Sequence, residues 1–339
     1  MKKIVILLSI LIFFLFLTSC DTSIFSHSGQ KVTVMIVGLD YKVQDTSKPL
    51  KWRGDGVQPF IVGDLGGTIN DSKELGAALD SIYKEKNVEH EIIYMLSEGE
   101  NHSYSSPIYP TAQNVYAQIE SLDLDEDDLF VFYFAGHGIP QQTFVDNEMH
   151  NDLHLITAEQ NYSPYYCTSL KYEDFLKSLR SLPCRSAVII DACYSGSFDP
   201  MNSSTPVSFE SSLKDIFNKD NIIIKDDNKI SVLTAAKWNE KSWEGYEVKF
   251  PDGSREEHGQ FTGTLLDILG WEHSNTRTVT VKNVDGSKVV ANGYLDGVPW
   301  KLSLDDIYAH LFDDRDYPYV IQYPVLYYTN ETINLVPAN

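Results

Sequence analysis

Residues 186–197, SAVIIDACYSGS, join an apolar run to two reactive side chains. Residues 187–190 are apolar and largely β-branched, which is typical of a buried strand in a parallel sheet. Asp191 and Cys193 follow at once, and small or flexible residues come after them. A carboxylate and a thiol directly after such an apolar strand indicate a functional site at the end of that strand.

The segments around this stretch alternate between strand and helix patterns. Five further strands are predicted at KVTVMIVGLDY (31–41), EHEIIYML (89–96), LFVFYFAGHG (129–138), KISVLTAA (229–236) and YPVLYYTN (323–330). Helices are predicted at 70–86, 109–122, 169–182, 259–270 and 303–312, with Asn70 or Asp71 as the N-cap of the first. Short connections between such elements predict an α/β fold with a mostly parallel central sheet and helices on both faces.

Two regions depart from this alternation. Residues 141–158 are looser and are interpreted as a hairpin. Residues 276–294 alternate with period two around an Asp-Gly turn, which predicts a small β-hairpin insertion within 275–300. The predicted organisation is a signal peptide (1–19), a tether (20–30), one domain (31–330) and a C-terminal tail (331–339).

Composition limits the function classes. The 339 residues carry a formal net charge of -21, with 27 Lys and Arg against 48 Asp and Glu. An acidic surface repels phosphate backbones, so nucleic acid is excluded as an expected partner. Cationic peptides are attracted instead.

The N-terminus has the pattern of an export signal. Two lysines precede an apolar run from residue 4 to residue 17, which is shorter than a membrane-spanning helix requires. LTSC (17–20) then resembles the lipobox of bacterial lipoproteins, which implies a lipid on Cys20 and a location in the bacterial cell envelope, facing outside the cytoplasm. An ordinary signal peptide with a chance cysteine is the alternative.

The three other cysteines are too few for a disulfide framework. Cys167 and Cys184 either form a disulfide or are simply packed in the core. An odd number leaves at least one free thiol in an exported protein, and Cys193 is the candidate.

His137 and Cys193 each follow one of the most apolar strands. Ligands of open α/β sheets bind beyond the carboxyl ends of the strands, so an imidazole and a thiol are expected at one edge. The imidazole can take the proton of the thiol and later protonate a leaving amine. Backbone N–H groups of Gly138 and Cys193 are candidates for the oxyanion hole.

The two segments FYFAGHG and IIDACYSGS resemble the His and Cys motifs of the caspase-like (clan CD) cysteine peptidases, and most closely those of metacaspases and their bacterial relatives. INDS, YPTAQN, GQFTGTLLDIL and QYPVL resemble further metacaspase segments in the same order. The resemblance covers about residues 31–330. It implies a caspase-like fold and a cysteine endopeptidase with His137 and Cys193 as its catalytic dyad.

The resemblance also implies a substrate preference. In metacaspases an acidic pocket accepts Arg or Lys before the scissile bond, and its carboxylates correspond to Asp71 and Asp191. Two neighbouring carboxylates repel each other and favour a cation between them. For Asp71, a role as helix N-cap is the alternative interpretation.

The chemistry itself requires no cofactor. Many metacaspases bind calcium, and Asp152 and Asp199 fall in comparable positions, with solvated surface as the alternative for each. The loop 198–228 offers Lys214, Lys219 and Lys225 for self-cleavage. Three rival functions stay open: a catalytically silent binding or signalling lipoprotein, a clan CD hydrolase with another preference, and a structural lipoprotein.

Overall fold

A computed structural model of the protein describes residues 30–43, 47–54, 58–98, 107–145, 148–160, 163–197, 229–237, 240–270, 278–282, 288–291, 303–311, 322–327 and 333–336. At residues 60, 142–145, 148–152, 163, 197, 278–282, 288–291 and 310 only the backbone is described. The predicted signal peptide, Cys20, and the loop containing Asp199 and the three lysines lie outside these residues.

A six-stranded sheet forms the centre of the described fold. Its strands are β1 (Val32–Leu39), β4 (His90–Ser97), β5 (Leu129–Ala135), β9 (Arg185–Asp191), β10 (Ile230–Thr234) and β15 (Val325–Tyr327). Their order is β15-β10-β9-β5-β1-β4, and every pairing is parallel except that of β15 with β10. The mostly parallel sheet predicted from the sequence is therefore confirmed, and all six predicted strands are present.

Helices cover both faces of this sheet. Within the described residues the helices are α1 (Thr68–Glu85), α2 (Ala112–Glu120), α3 (Tyr172–Ser181), α4 (Gln260–Ile268) and α5 (Leu304–Leu311). Apolar residues of α2 and α3 share one buried cluster with β1, β5 and β9, and those of α1, α4 and α5 share another. The central strands are buried on both faces, which explains their nearly continuous apolar sequences.

Two smaller sheets flank the centre. One has the order β3-β2-β8-β7-β6, and its strands are β2 (Lys51–Trp52), β3 (Phe60–Ile61), β6 (Gly138–Val145), β7 (Glu148–Gln160) and β8 (Ser163–Lys171). The other has the order β12-β11-β13-β14, and its strands are β11 (Glu244–Lys249), β12 (Arg255–Gly259), β13 (Thr278–Lys282) and β14 (Lys288–Ala291). The predicted hairpin corresponds to β13 and β14, which pair antiparallel.

Three local predictions need correction. The interpretation of Asn70 or Asp71 as an N-cap is wrong, because α1 begins at Thr68 and its N-cap is Gly67. The hairpin predicted at 141–158 is confirmed by β6 and β7, but the prediction missed β8, which adds a third strand as far as Lys171 and shortens the following helix. No strand was predicted at 244–259, where β11 and β12 form next to the candidate site.

Replacing Ile189 with valine is expected to lower the free energy of unfolding by about 0.5–1.5 kcal/mol, since it removes one methylene from a fully buried position. The same replacement at Ile61, which is 62% exposed, is the matched control and is expected to change little. Urea denaturation of both variants measures the difference. Equal effects at the two positions would contradict the packing described for β9.

Among the described helices, none is long and apolar enough to cross a membrane.

Candidate active site

The register of β5 and β9 brings the two motifs together. These strands are parallel neighbours, and Ala135 pairs with Asp191 at their ends. His137 and Cys193 each lie two residues beyond that pair. The N–H of Gly136 donates to the carbonyl of Asp191 at 3.1 Å, so the two chains stay in contact as they leave the sheet.

Gly138 and Cys193 are in direct backbone contact. A Cβ atom built on Gly138 would lie 2.1 Å from the carbonyl oxygen of Cys193, so only glycine permits this approach. The amides proposed for the oxyanion hole therefore belong to adjacent backbone segments at one strand edge. That they hold an oxyanion stays a prediction.

The imidazole of His137 is fixed from two sides. Its Nε2 lies 2.8 Å from the carbonyl oxygen of Gly63, and because a carbonyl only accepts, Nε2 carries the proton. Tyr41 packs its ring against the imidazole at 4.7 Å between centroids, and its hydroxyl accepts the backbone N–H of His137. That hydroxyl in turn donates to the carbonyl of Ile156. In the neutral ring Nδ1 is then the basic nitrogen.

Cys193 is half-buried and follows the strand on a constrained turn. Its thiol donates to the carbonyl of Ser242 at 3.6 Å. The next residue, Tyr194, has φ of 58°, and its N–H donates to the carbonyl of Glu240. Tyr41 also has a positive φ, of 55°. Strained backbone at bulky residues is concentrated at functional sites. Of the three non-glycine residues with positive φ in the described part of the chain, Tyr41 contacts His137, Tyr194 follows Cys193, and Asn87 lies elsewhere.

Burial favours the neutral forms of His137 and Cys193. It lowers the pKa of His137 below its ordinary value, although the Gly63 carbonyl opposes the shift. Burial raises the pKa of Cys193, while the hydrogen bond to Ser242 opposes it and the negative charge of Asp191 adds to it. Both shifts favour a thiol beside a neutral imidazole, which is the form in which the predicted general base can accept a proton.

This electrostatic arrangement predicts the acid side of the pH profile. Protonated His137 cannot accept the thiol proton, so activity appears as the pH rises through the pKa of His137. Because burial lowers that pKa, the acid limb of kcat/KM is expected to have its midpoint below about 6.5. Initial rates across the pH range test this. A midpoint above the ordinary histidine value would contradict a dyad that rests in its neutral form.

Asp71 and Asp191 converge at the backbone of Gly259. A Cβ on Gly259 would lie 2.5 Å from Oδ2 of Asp191 and 3.2 Å from Oδ2 of Asp71. Both carboxyl groups are buried, at 1% and 6% exposure. The structure thus brings together the two acids that the sequence assigned to one pocket.

Each carboxyl group also has partners in the protein. Asp191 accepts the hydroxyls of Ser242 at 2.6 Å and Thr262 at 2.7 Å. Asp71 accepts the N–H of Gly259 at 3.0 Å and the Nδ1–H of His258 at 2.9 Å. A carboxylate offers about four acceptor positions, so both groups keep capacity for a further donor.

Burial raises the pKa of Asp71 to about 7, despite the opposing hydrogen bond and charge of His258. Burial likewise raises the pKa of Asp191, against its hydrogen bonds to Ser242 and Thr262. Both shifts describe carboxyl groups whose ionised forms would be stabilised by a cation placed between them.

Several residues of the site were not predicted from sequence. Gly63, Tyr41 and Ser242 orient the dyad, and their segments carry no motif that marks them. Glu244 adds a third carboxyl group, which accepts the N–H of Gly67 at 2.9 Å and whose pKa is raised by burial and by the charge of Asp191. Thr262 lies in the segment GQFTG, which the sequence analysis named, but the hydrogen bond from its hydroxyl to Asp191 was not predicted.

The other candidate residues named from the sequence are three cysteines and two aspartates, and none of them is described as part of this site. Cys167 and Cys184 are buried free thiols, so they do not form a disulfide in this structure. Asp152 lies in β7 with only its backbone described, and Asp199 and Cys20 lie outside the described residues. Calcium binding and lipidation therefore stay predictions.

Comparison with known proteins gives a family match that contains His137, Cys193, Asp71 and Asp191 but not the site residues from Ser242 onward. Residues 33–201 match the family model described as "Metacaspase, peptidase C14 domain". Among solved structures, caspase-1 from Spodoptera frugiperda aligns at 9% identity and a TM-score of 0.43, over 91% of this chain and 93% of that one. A comparison with curated protein sequences gives no significant match. Over 169 of its 339 residues, the chain is therefore similar to the metacaspase domain, and this match supports a caspase-like cysteine peptidase.

Proposed function

We propose that the protein is a cysteine endopeptidase that cleaves after Arg or Lys through the dyad of Cys193 and His137. One observation carries the proposal: Ala135 of β5 pairs with Asp191 of β9, and His137 and Cys193 each follow that pair by two residues. The family match over residues 33–201 supports the reaction class.

The proposed reaction uses groups of the chain alone. Nδ1 of His137 takes the thiol proton as the sulfur of Cys193 bonds to the carbonyl carbon of the substrate. The amides of Gly138 and Cys193 donate to the resulting oxyanion. His137 then gives the proton to the leaving amine as the peptide bond breaks, and water, deprotonated by the same imidazole, hydrolyses the thioester.

The carboxyl groups of Asp71, Asp191 and Glu244 support the preference for a basic residue before the scissile bond. A guanidinium donates through several N–H groups at once, which suits two carboxyl oxygens that both lie near the Cα of Gly259. An aspartate substrate would instead face like charge in the same place.

The test is cleavage of matched fluorogenic peptides that end in Arg, Lys, Gln or Asp, with and without a calcium chelator. Arg and Lys peptides are expected to be cleaved, and Gln and Asp peptides poorly or not at all. Cys193→Ala is expected to be inactive, while Cys184→Ala, which removes another free thiol, is the matched control. A preference for Asp would refute the pocket, and activity in Cys193→Ala would refute the nucleophile.

We also propose that a lipid on Cys20 attaches the protein to the cell envelope, on the basis of residues 1–20 alone. Metabolic labelling with a fatty acid in a bacterial host is expected to mark the protein, and Cys20→Ser is expected to remove the label. Labelling that persists in Cys20→Ser would contradict the assignment.

A further inference from the structure

A cluster of possible metal ligands lies on the far side of Asp71 from Asp191. It consists of Glu74 on α1 and of Glu256 and His258 on β12. One ligand atom from each residue lies within 4.8 Å of the other two. His258 is fully buried, Glu74 is 18% exposed and Glu256 is 37% exposed, so the cluster opens to solvent on the Glu256 side.

The spacing of these atoms suits coordination to one ion. Nε2 of His258 is 3.8 Å from Oε2 of Glu74 and 3.9 Å from Oε2 of Glu256, outside hydrogen-bond range. Two ligands on a tetrahedral zinc ion, with bonds near 2.1 Å, stand about 3.4 Å apart. A small inward movement of two flexible glutamates brings all three ligands to that separation.

Asp71 supplies the supporting contact that metal-bound histidines need. Its carboxylate accepts Nδ1–H of His258 at 2.9 Å, which leaves Nε2 directed at the two glutamates. A carboxylate that orients a histidine and increases its basicity is the usual second layer of a zinc site. His90 offers a contrast, because its two ring nitrogens contact Asp80 and the carbonyl of Val88 and it takes no part in this cluster.

We propose that Glu74, Glu256 and His258 bind a first-row divalent transition-metal ion, zinc foremost, with water in the fourth position. Imidazole together with carboxylate suits zinc, whereas calcium and magnesium prefer oxygen ligands alone. Binding releases any proton that His258 carries on Nε2 to the solvent. The ion links α1 to β12 one residue before Gly259, and so stabilises the backbone between the two pocket acids.

Zinc binding is measured by calorimetry on the full chain carrying Cys193→Ala, which removes the reactive thiol as a competing ligand. We expect one zinc ion per chain. His258→Gln and Glu74→Gln are each expected to weaken binding at least about 10-fold, and His90→Gln is expected to leave it unchanged. Glu74 is partly exposed, so its variant stays informative if loss of the buried histidine impairs folding.

Cobalt substitution and thermal unfolding supply readouts independent of peptidase activity. The cobalt complex is expected to lack a thiolate-to-metal absorption band, and zinc is expected to raise Tm in the Cys193→Ala chain but not in its Glu74→Gln derivative. Absence of stoichiometric zinc binding, unchanged binding in Glu74→Gln, a thiolate band, or tighter binding of calcium than of zinc would each overturn the proposal. In that case His258 only joins α1 to β12 through its contacts with Asp71 and the two glutamates.

Discussion

Replacing His137 with alanine is expected to reduce kcat/KM for an arginine-ending peptide by about 10²- to 10⁴-fold, the usual contribution of a general base. The loss is large because burial raises the pKa of Cys193, so the thiol ionises poorly unless a base accepts its proton. The measurement is the initial rate on the fluorogenic arginine peptide, together with titration of the active-site thiol by a thiol-reactive arginine chloromethylketone.

His90→Ala is the matched control for this loss. His90 also lies next to a buried strand and pairs with Asp80, but it begins β4 rather than following β5. It is expected to retain activity, with Tm measured for both variants. If His137→Ala keeps wild-type activity, or if both variants lose activity equally, the register of β5 and β9 does not carry the chemistry. An unsubstituted chain that cleaves no peptide would instead favour the catalytically silent alternative.

The central sheet was predictable because the strongest local signals and the tertiary environment agree. β5 and β9 are apolar on both faces, and the structure buries both faces under helices. The same strands predicted that His137 and Cys193 lie at one sheet edge. Either residue alone is more often structural, and the resemblance of both segments to the metacaspase motifs implied the catalytic role, which stays a prediction. Helix α2 was placed correctly for a similar reason, with Thr111 as its N-cap.

What the sequence did not reveal depends on contacts between distant segments. Gly63 orients His137 across 74 positions, and Ser242 reaches Asp191 across 51. A backbone carbonyl can perform the first role from any residue type, so no side chain marks it. The strands β11 and β12 are short, β11 has only two apolar side chains, Tyr246 and Val248, and β12 has none. They form because β11 pairs with β12 on one side and with β13 on the other. This pairing between distant segments is a tertiary effect.

Asp71 fits the local preference for an acid at the start of a helix, but contacts with distant residues explain its position. An acid near a helix start is favoured by the helix dipole, and Asp71 does lie in the first turn of α1. Its carboxylate, however, accepts hydrogen bonds from His258 and Gly259, 187 and 188 positions away. The local interpretation could not distinguish a helix cap from an acid shared by the pocket and the neighbouring histidine.

Replacing Asp191 with asparagine is expected to lower kcat/KM for the arginine peptide by about 30-fold or more. Removing one partner of a buried, hydrogen-bonded charge pair costs about 2–5 kcal/mol, and each 1.36 kcal/mol corresponds to a factor of ten. Cleavage of the matched glutamine peptide is expected to change much less, because that substrate has no charge to pair. The ratio of the two kcat/KM values is therefore the quantity to measure.

A structural role for Asp191 would give a different result. Asparagine keeps one acceptor oxygen and directs an NH₂ group at either Ser242 or Thr262, so some loss of stability is expected. Asp128→Asn is the matched control: that buried carboxylate accepts the backbone N–H groups of Lys31 and Asp125 just before β5. It is expected to lower Tm without altering the arginine-to-glutamine ratio. If Asp191→Asn also leaves that ratio unchanged while activity on both peptides falls, Asp191 only anchors the loop of Ser242, and the preference for basic residues must come from other groups.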